Sequence, residues 1–315
     1  MKRIYPWLPV LSILLALGLE AGLENTGGHI PAQRPYQIYF LAVLLAVFSA
    51  VAAASRFSAR AKAWIGDKAL FVAVVILLLT LYNLATKKFG FLPVIFFPSA
   101  DRILSVLVED FDFLMICLAA SGKLLFTGFI LGAAAGFITG IAVGFSKTAG
   151  YWINPLVRTL GPIPSTAWIP VVLVSFPTTF SASAFLIGLA VWFPTAVMTS
   201  SGILNVQNAY FEVASTLGAG KYYQIFRVGI PAAMPHMFIG IFNGTCASFI
   251  TLMTAEMLGV KNGLGWYINW QREMMSYANV YAGLIMISVT FSLLITLLFK
   301  VRDTVLVWQK GVIKW

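Results

Sequence analysis

Few residues in this chain have the types and spacing that chemistry needs. A phosphate-binding loop requires Gly-x4-Gly-Lys-Ser/Thr, so that successive backbone N–H groups and a lysine surround a polyphosphate. Gly218-Ala-Gly-Lys221 runs on into Tyr222 without the earlier glycine, and Phe145-Ser-Lys-Thr148 lacks the adjoining one. There is no His-Glu-x-x-His, and His29 and His236 stand far apart with no recurring acidic neighbours. Cys117 and Cys246 lie inside separate apolar runs, away from any metal-ligand or redox spacing, and read as small packing residues. No enzyme site and no metal site emerge. What remains is a set of polar and rigid residues placed among apolar ones: Asn243, Thr251 and Thr254, with Glu256 just past the end of their run, and the break Gly161-Pro162-Ile-Pro164. An unpaired polar group in hydrocarbon costs several kcal/mol, so such residues turn toward a bundle interior or a cavity. They are candidates for lining a pathway or gate; hydrogen bonding to neighbouring helices is the plain alternative.

The elements that must position them are membrane spans. Of 315 residues, 60% are hydrophobic and 10% charged, against about a quarter charged in soluble domains. A net charge of +10 raises the question of nucleic acid, but the lysines and arginines are scattered singly between apolar runs and form no basic face. Apolar stretches at Trp7–Leu19, Ile38–Ala54, Ala69–Ala85, Leu124–Phe145, Thr166–Phe176, Ala182–Thr199, His236–Ala255 and Val280–Phe299 give eight expected crossings of an all-α membrane protein. The first could instead be a signal peptide, though no small-x-small cleavage site follows Leu19. The fifth, short and containing Pro170, needs protein or a water-filled cavity to satisfy its freed backbone groups. Between the third and fourth, Ser99 can cap a short helix reaching Asp110.

Glycine spacing adds a packing expectation. Gly128, Gly132, Gly136, Gly140 and Gly144 recur every fourth residue, which puts five hydrogens in place of side chains on one helix face and lets another helix approach closely. Gly240, Gly244 and Ser248 form a second small-residue stripe.

Between two almost wholly apolar runs lies the mixed stretch Phe211–Pro231. Val206, Tyr210, Val213 and Leu217 fall on one helical face, Glu212 and Ser215 on others, and Gly218 is placed to end the helix, with Pro231 opening the next element. The pattern Glu212-x-Ala214-x-x-x-Gly218, followed by Val228-Gly-Ile-Pro231, resembles the cytoplasmic loop of binding-protein-dependent ABC importer permeases. Val213 replaces a usual second alanine. Thr216-Leu-Gly-Ala219, Ala255-Glu-Met-Leu-Gly259 and Gly263-Leu-Gly265 look most like the nitrate, sulfonate and taurine branch, and the resemblance extends over roughly Phe89 to Arg302. One departure is Leu124, where the family often has an arginine three residues after the serine matching Ser121.

The resemblance implies a type I ABC importer transmembrane domain, with six core spans after two additional N-terminal ones. Residues 1–62 would be an accessory hairpin and residues 63–315 the permease, with a coupling loop at 201–235. Glu212, Val213, Ala214, Leu217, Gly218 and Ala219 would couple to two copies of a separate ATP-binding subunit that holds ATP and Mg, this chain carrying no cofactor. A second permease chain, giving a homodimer, and an extracytoplasmic substrate-binding protein would complete an inner-membrane importer of a small oxyanion or sulfonate. With eight crossings and both termini inside, fourteen Lys and Arg residues lie inside, from Lys2 and Arg3 through Arg56, Arg60, Lys310 and Lys314, and seven outside. That bias follows the positive-inside rule and puts Phe211–Pro231 in the cytoplasm. The competing reading, an ion-driven secondary transporter, needs an intramembrane carboxylate or inverted repeats, and the sequence offers neither: Glu20 and Glu256 both fall just beyond expected span ends.

Overall fold

The computed structural model describes residues 5–28, 34–55 and 57–308, without the side chains of residues 5 and 59–61. Lys2, Arg3, His29, Arg56, Lys310 and Lys314 lie outside the described residues, as does the side chain of Arg60. Among the described residues all regular structure is helical: α1 (Leu8–Gly22), α2 (Tyr36–Ala54), α3 (Ala59–Asn83), α4 (Ala100–Glu109), α5 (Phe111–Phe145), α6 (Lys147–Leu160), α7 (Ile169–Ser175), α8 (Thr179–Leu204), α9 (Asn208–Thr216), α10 (Lys221–Tyr223), α11 (Ile230–Leu258), α12 (Leu264–Glu273) and α13 (Tyr277–Val305). Tighter 3-10 turns occupy Tyr5–Trp7 and Ser165–Trp168, and wider π turns Leu84–Lys88 and Gln224–Gly229.

Among the described residues six helices are long and apolar enough to cross a bilayer: Tyr36–Ala54, Lys62–Lys88, Phe111–Phe145, Thr179–Leu204, Lys221–Leu258 and Tyr277–Val305. The expected count of eight is thus not reached by full-length helices. The first stretch forms α1, of 15 residues, short of the roughly 20 a perpendicular span needs. The fifth, Thr166–Phe176, forms only the second arm of a bent pair, in which α6 and Ser165–Ser175 meet at 86°. Pro162 and Pro164 stand at the break: neither has an N–H to continue the helical ladder, and Pro164 is itself extended, at φ −55° and ψ 135°.

Two further boundaries differ from the sequence reading. Pro231 stands in the first turn of α11, as expected, but α11 does not start afresh there: the helical run is continuous from Lys221, ten residues earlier, to Leu258. Pro231 has no N–H to offer a carbonyl one turn back, and the π turn Gln224–Gly229 precedes it, widening the backbone where that bond is missing. Glu256, expected just past a span, therefore lies inside one.

The chain divides into two compact units, Met1–Asp112 with Trp270–Ala282, and Phe113–Asn269 with Gly283–Trp315. In the first, Ile13 and Ala16 of α1 pack with Leu41 of α2 and Ile76 of α3. Charged residues gather at one end of these helices. Lys87 Nζ lies 2.5 Å from Glu20 Oε1 and also pairs with Asp101, while Lys88 Nζ donates to the carbonyls of Glu20 and Leu23 at 2.7 Å. Asn83 donates to Glu20 Oε2 at 2.7 Å, and the Gln37 backbone N–H donates to Asp101 Oδ1 at 2.8 Å. Two lysines thus meet two carboxylates, all four largely buried, and α1, α2, α3 and α4 are tied at one point.

In the second unit α8 is the central element. The glycine ladder of α5 faces it rung by rung. A methyl group added at Gly128 would sit 2.6 Å from Ile187 Cβ, at Gly136 2.7 Å from Thr195 Cβ, at Gly140 2.6 Å from Thr199 Cβ and at Gly144 2.8 Å from Ile203 Cβ; at Gly132 it would meet the backbone of Gly188. All are far inside the 3.5–4.0 Å, or about that, at which carbons attract. Contacts ascend together in both helices, so α5 and α8 run parallel. The intervening bent pair has to return the chain to the starting side. On its other face α8 meets α11: Gly202 abuts Ala233 and His236, Gly240 abuts Pro194 and Met198, and Gly244 abuts Val191, an antiparallel pairing.

Two measurements test this packing. Gly136→Leu should lower the thermal midpoint in detergent by the equivalent of at least about 1–3 kcal/mol, the usual result of forcing methylenes into a filled contact. Lys87→Met, which leaves Asp101 buried without its cation and Glu20 with Lys88 alone, should cost about 3–5 kcal/mol, whereas Lys87→Arg should recover part of it.

Candidate functional site

The stretch singled out by sequence forms α9 and the turn after it. Val206 precedes the helix, which starts at Asn208, while Tyr210, Val213 and Leu217 remain on one side of it. Its end is a Schellman motif: Gly218 N–H donates to the Ser215 carbonyl at 2.9 Å and Ala219 N–H to the Ala214 carbonyl at 2.9 Å. Gly218 sits at φ +81°, in the left-handed region, with open space where a side chain would go. Glycine is needed there for backbone conformation and not for room.

Gln224 then closes the turn, its amide donating to Ser215 Oγ at 2.8 Å and to the Ala219 carbonyl at 3.1 Å. Phe211 stacks edge-on against Phe145 at the end of α5, ring centroids 6.2 Å apart, and Gly229 leaves room for the same Phe145 ring. The loop is thereby held to α5. A groove of about 800 Å³ opens on it, lined by Val213, Ala214, Leu217, Gly218 and Ala219 on one side and by Tyr223 and Arg227 on the other. Glu212 is exposed and does not line it. Leu217 is 82% exposed and Tyr222 80%. Apolar groups so uncovered on a hydrogen-bonded turn form a surface suited to a partner.

A cavity of about 340 Å³ lies at the elbow between α6 and the Ser165–Ser175 segment. It gathers Pro164, Asn243 and Thr251, three of the six pathway candidates; Pro162, Thr254 and Glu256 do not line it. Ser165 Oγ and Thr251 Oγ1 are 2.6 Å apart. Phe193 fills the space a side chain on Gly161 would take. Hydroxyl, amide and aromatic groups line this cavity, and no charged side chain does. Thr254 turns its hydroxyl back to the Ile250 carbonyl at 2.9 Å.

Glu256 is fully buried elsewhere, and its partners are residues the sequence reading left unconnected. Ser121 Oγ donates to its Oε1 at 2.7 Å, and the Gly265 backbone N–H donates to its Oε2 at 2.8 Å. Ser121 in turn accepts the Leu264 N–H at 2.8 Å. Two unsatisfied N–H groups at the start of α12 are thus capped from α5 and α11, with the carboxylate placed at the positive end of the helix dipole. At Gly263, φ +138°, and at Gly265, an added methyl would strike the Glu256 side chain, at 2.7 Å from Oε2 and 2.9 Å from Cβ respectively. The spacing Glu-x6-Gly-x-Gly was the available signal.

Long apolar helices packed through glycine, a rigid exposed loop between two of them and an uncharged cavity beside a broken helix define a multi-pass membrane transport subunit. The chain belongs to the family described as "Binding-protein-dependent transport system inner membrane component", which it matches over residues 128–305. Among its relatives, a protein named for aliphatic sulfonates transport, the permease SsuC of Bacillus subtilis (strain 168), is 31% identical over 58% of this chain and 67% of its own length. The nitrate import permease protein NrtB of Synechococcus elongatus is 29% identical over 45% of this chain and 50% of its own. The taurine transport system permease protein TauC of Escherichia coli (strain K12) is 28% identical over 56% and 64%. The matched region spans half to two thirds of these relatives.

Removing the carboxylate tests the cap. Glu256→Ala should destabilise by about 1.5–3 kcal/mol, the typical loss of hydrogen bonds to a charged group, and expose the Leu264–Glu273 amides to hydrogen exchange. Glu256→Gln, which can still accept from Gly265, should cost less.

Proposed function

We propose that this chain is the permease subunit of an ATP-driven importer of type I architecture, coupled through the Glu212–Pro231 loop to a separate ATPase. The observation that carries the reading is the apolar groove on α9 and its Schellman turn, uncovered yet fixed to α5 through Phe145. Such a surface is built to receive force from a partner. Two ATP-binding subunits, holding ATP and Mg, would seat on two such loops; two copies of this chain would line the pathway; an extracytoplasmic binding protein would deliver solute.

In this reading α1 and the bent pair complete eight crossings with both termini inside, and Met1–Lys62 is an accessory hairpin. The elbow cavity with Pro164, Asn243 and Thr251 is part of the pathway, and its uncharged lining suits passage of an ion that must not be held. Relatives named for sulfonates, nitrate and taurine support a small oxyanion or sulfonate as solute. An ion-driven transporter would use a membrane-embedded carboxylate as its carrier. Glu256 has the position for that role, but both its oxygens are engaged, Oε1 by the Ser121 hydroxyl and Oε2 by the Gly265 N–H of α12.

The test uses the backbone demand at Gly218. Gly218→Val places a β-branched residue in the left-handed region, where a non-glycine residue costs roughly 1–2 kcal/mol or more, equivalent to about 5–30-fold. ATPase capture and solute-stimulated hydrolysis in liposomes should fall by at least that factor while membrane insertion persists. Gly218→Asn, which tolerates the conformation, should stay near the parent. If the valine variant captures and stimulates the ATPase like the parent, the coupling role of this loop is wrong.

A further inference from the structure

On the side of α11 away from the elbow cavity, a second recess runs between α5, α11 and α13. It consists of two adjoining cavities of about 350 and about 190 Å³ that share Leu125, Phe126, Phe249, Leu294 and Leu297. No residue of the elbow cavity belongs to it. Its few polar residues are already satisfied: Ser121 by Glu256 and Leu264, Thr245 by the Ile241 carbonyl, Ser248 by the Thr245 carbonyl and Thr290 by the Met286 carbonyl. Nothing in it asks for a hydrogen-bonding solute. Its length is set by the helices that line it: Leu118 to Phe129 on α5 and Ile287 to Val301 on α13, which at a rise of 1.5 Å per residue makes about 16–21 Å. One leaflet of a hydrocarbon core of about 30 Å measures about half that core, roughly 15 Å. Val301, at one end of the recess, is flanked in sequence by Lys300, which is exposed, and by Arg302, which pairs with Asp303 and lies over the Phe299 ring.

We infer that this recess is a site for one anionic phospholipid, an acyl chain lying along Leu125, Phe249 and Leu294 and the headgroup phosphate at Lys300 and Arg302. The recess has about the length of a chain within one leaflet, its lining offers dispersion contacts only, and Lys300 and Arg302 are the sequence neighbours of Val301 at its end. Lipid at this place would brace α13 against α5 and α11. The inference rests on the membrane-spanning assignment and is independent of ATPase coupling.

Native mass spectrometry of the full chain in detergent, with phosphatidylglycerol and phosphatidylcholine as probes, tests it. A single retained phosphatidylglycerol is expected. Leu297→Trp, which fills the recess, should weaken that adduct at least about tenfold, as excluding even two methylenes would. Leu293→Trp at the exposed rim provides the same test should the first variant fail to fold. Lys300→Gln with Arg302→Gln should reduce the preference for phosphatidylglycerol over phosphatidylcholine by about fivefold per residue, as for cations near a lipid surface. Adducts unchanged by either tryptophan would overturn the proposal. So would disulfide cross-linking of Leu297→Cys between two copies, which would assign the recess to a protomer interface.

Discussion

Everything in the second unit depends on α5 and α8 touching backbone to backbone. Lipid tails are as apolar as leucine, so hydrophobicity gives two membrane helices little reason to associate; packing contacts have to do it. Five glycines four residues apart remove every Cβ from one face of α5 over about 24 Å, and Ile187, Thr195, Thr199 and Ile203 enter the space. Because the two helices run parallel, the connection between them has to travel the full length of the contact. That requirement is what α6, the Pro162–Pro164 break and α7 meet, and the elbow they make leaves the cavity. The broken helix and the glycine ladder are therefore one constraint seen twice.

The same economy operates at α12. A short helix returning into the protein exposes N–H groups at its start that no water reaches, and Ser121 and Glu256 supply the acceptors from two other helices. Gly263 and Gly265 are what make room for the carboxylate. In the first unit the cation and anion sets are balanced, Lys87 and Lys88 against Glu20 and Asp101. Burial is tolerable there because each charge has a partner and the remaining lone pairs are met by Asn83 and the Gln37 amide.

What could be read in the sequence was what repeats or what stands in a local window. The four-residue glycine period needs only helix geometry, and the stop at Gly218 needs only the conformational freedom of that residue. Glu256 was placed beyond its span because a hydropathy run ends where polar residues thin it, whereas the hydrogen-bonded helix continues to Leu258. Its partners Ser121 and Gly265 lie on other elements, and no periodicity links them. Lys87, Glu20 and Asp101 were invisible as a group for the same reason. Of the pathway candidates, Asn243 and Thr251 line the cavity that Pro164 also lines, whereas Thr254 does not, although both threonines back-bond within their own helix; which side of that helix meets the cavity is not revealed by composition. Lys221 was missed as a helix start because Pro231 looked like one; the π turn before Pro231 lets the helix pass through it.

These parts differ in stiffness, and the difference has a direction. α5 runs 35 residues without a proline, from the ladder to Phe145, whereas Pro194 interrupts α8, and Pro231 and Pro235 interrupt the helix that contains α11. Each proline removes one rung of the hydrogen-bond ladder and loosens bending at that point. In the proposed mechanism, a push on α9 reaches Phe145 through a turn that Gln224 and the Schellman bonds keep from deforming. It then passes along α5 with little loss. At Gly136 it meets Thr195, beside the carbonyl of Ala190 that Pro194 leaves without its helical donor, and both Ala190 and Pro194 line the elbow cavity. The helix face that cannot separate from α5 is thus the one next to the point where α8 bends most easily, which is the arrangement needed for movement at the loop to become a change in the shape of the cavity.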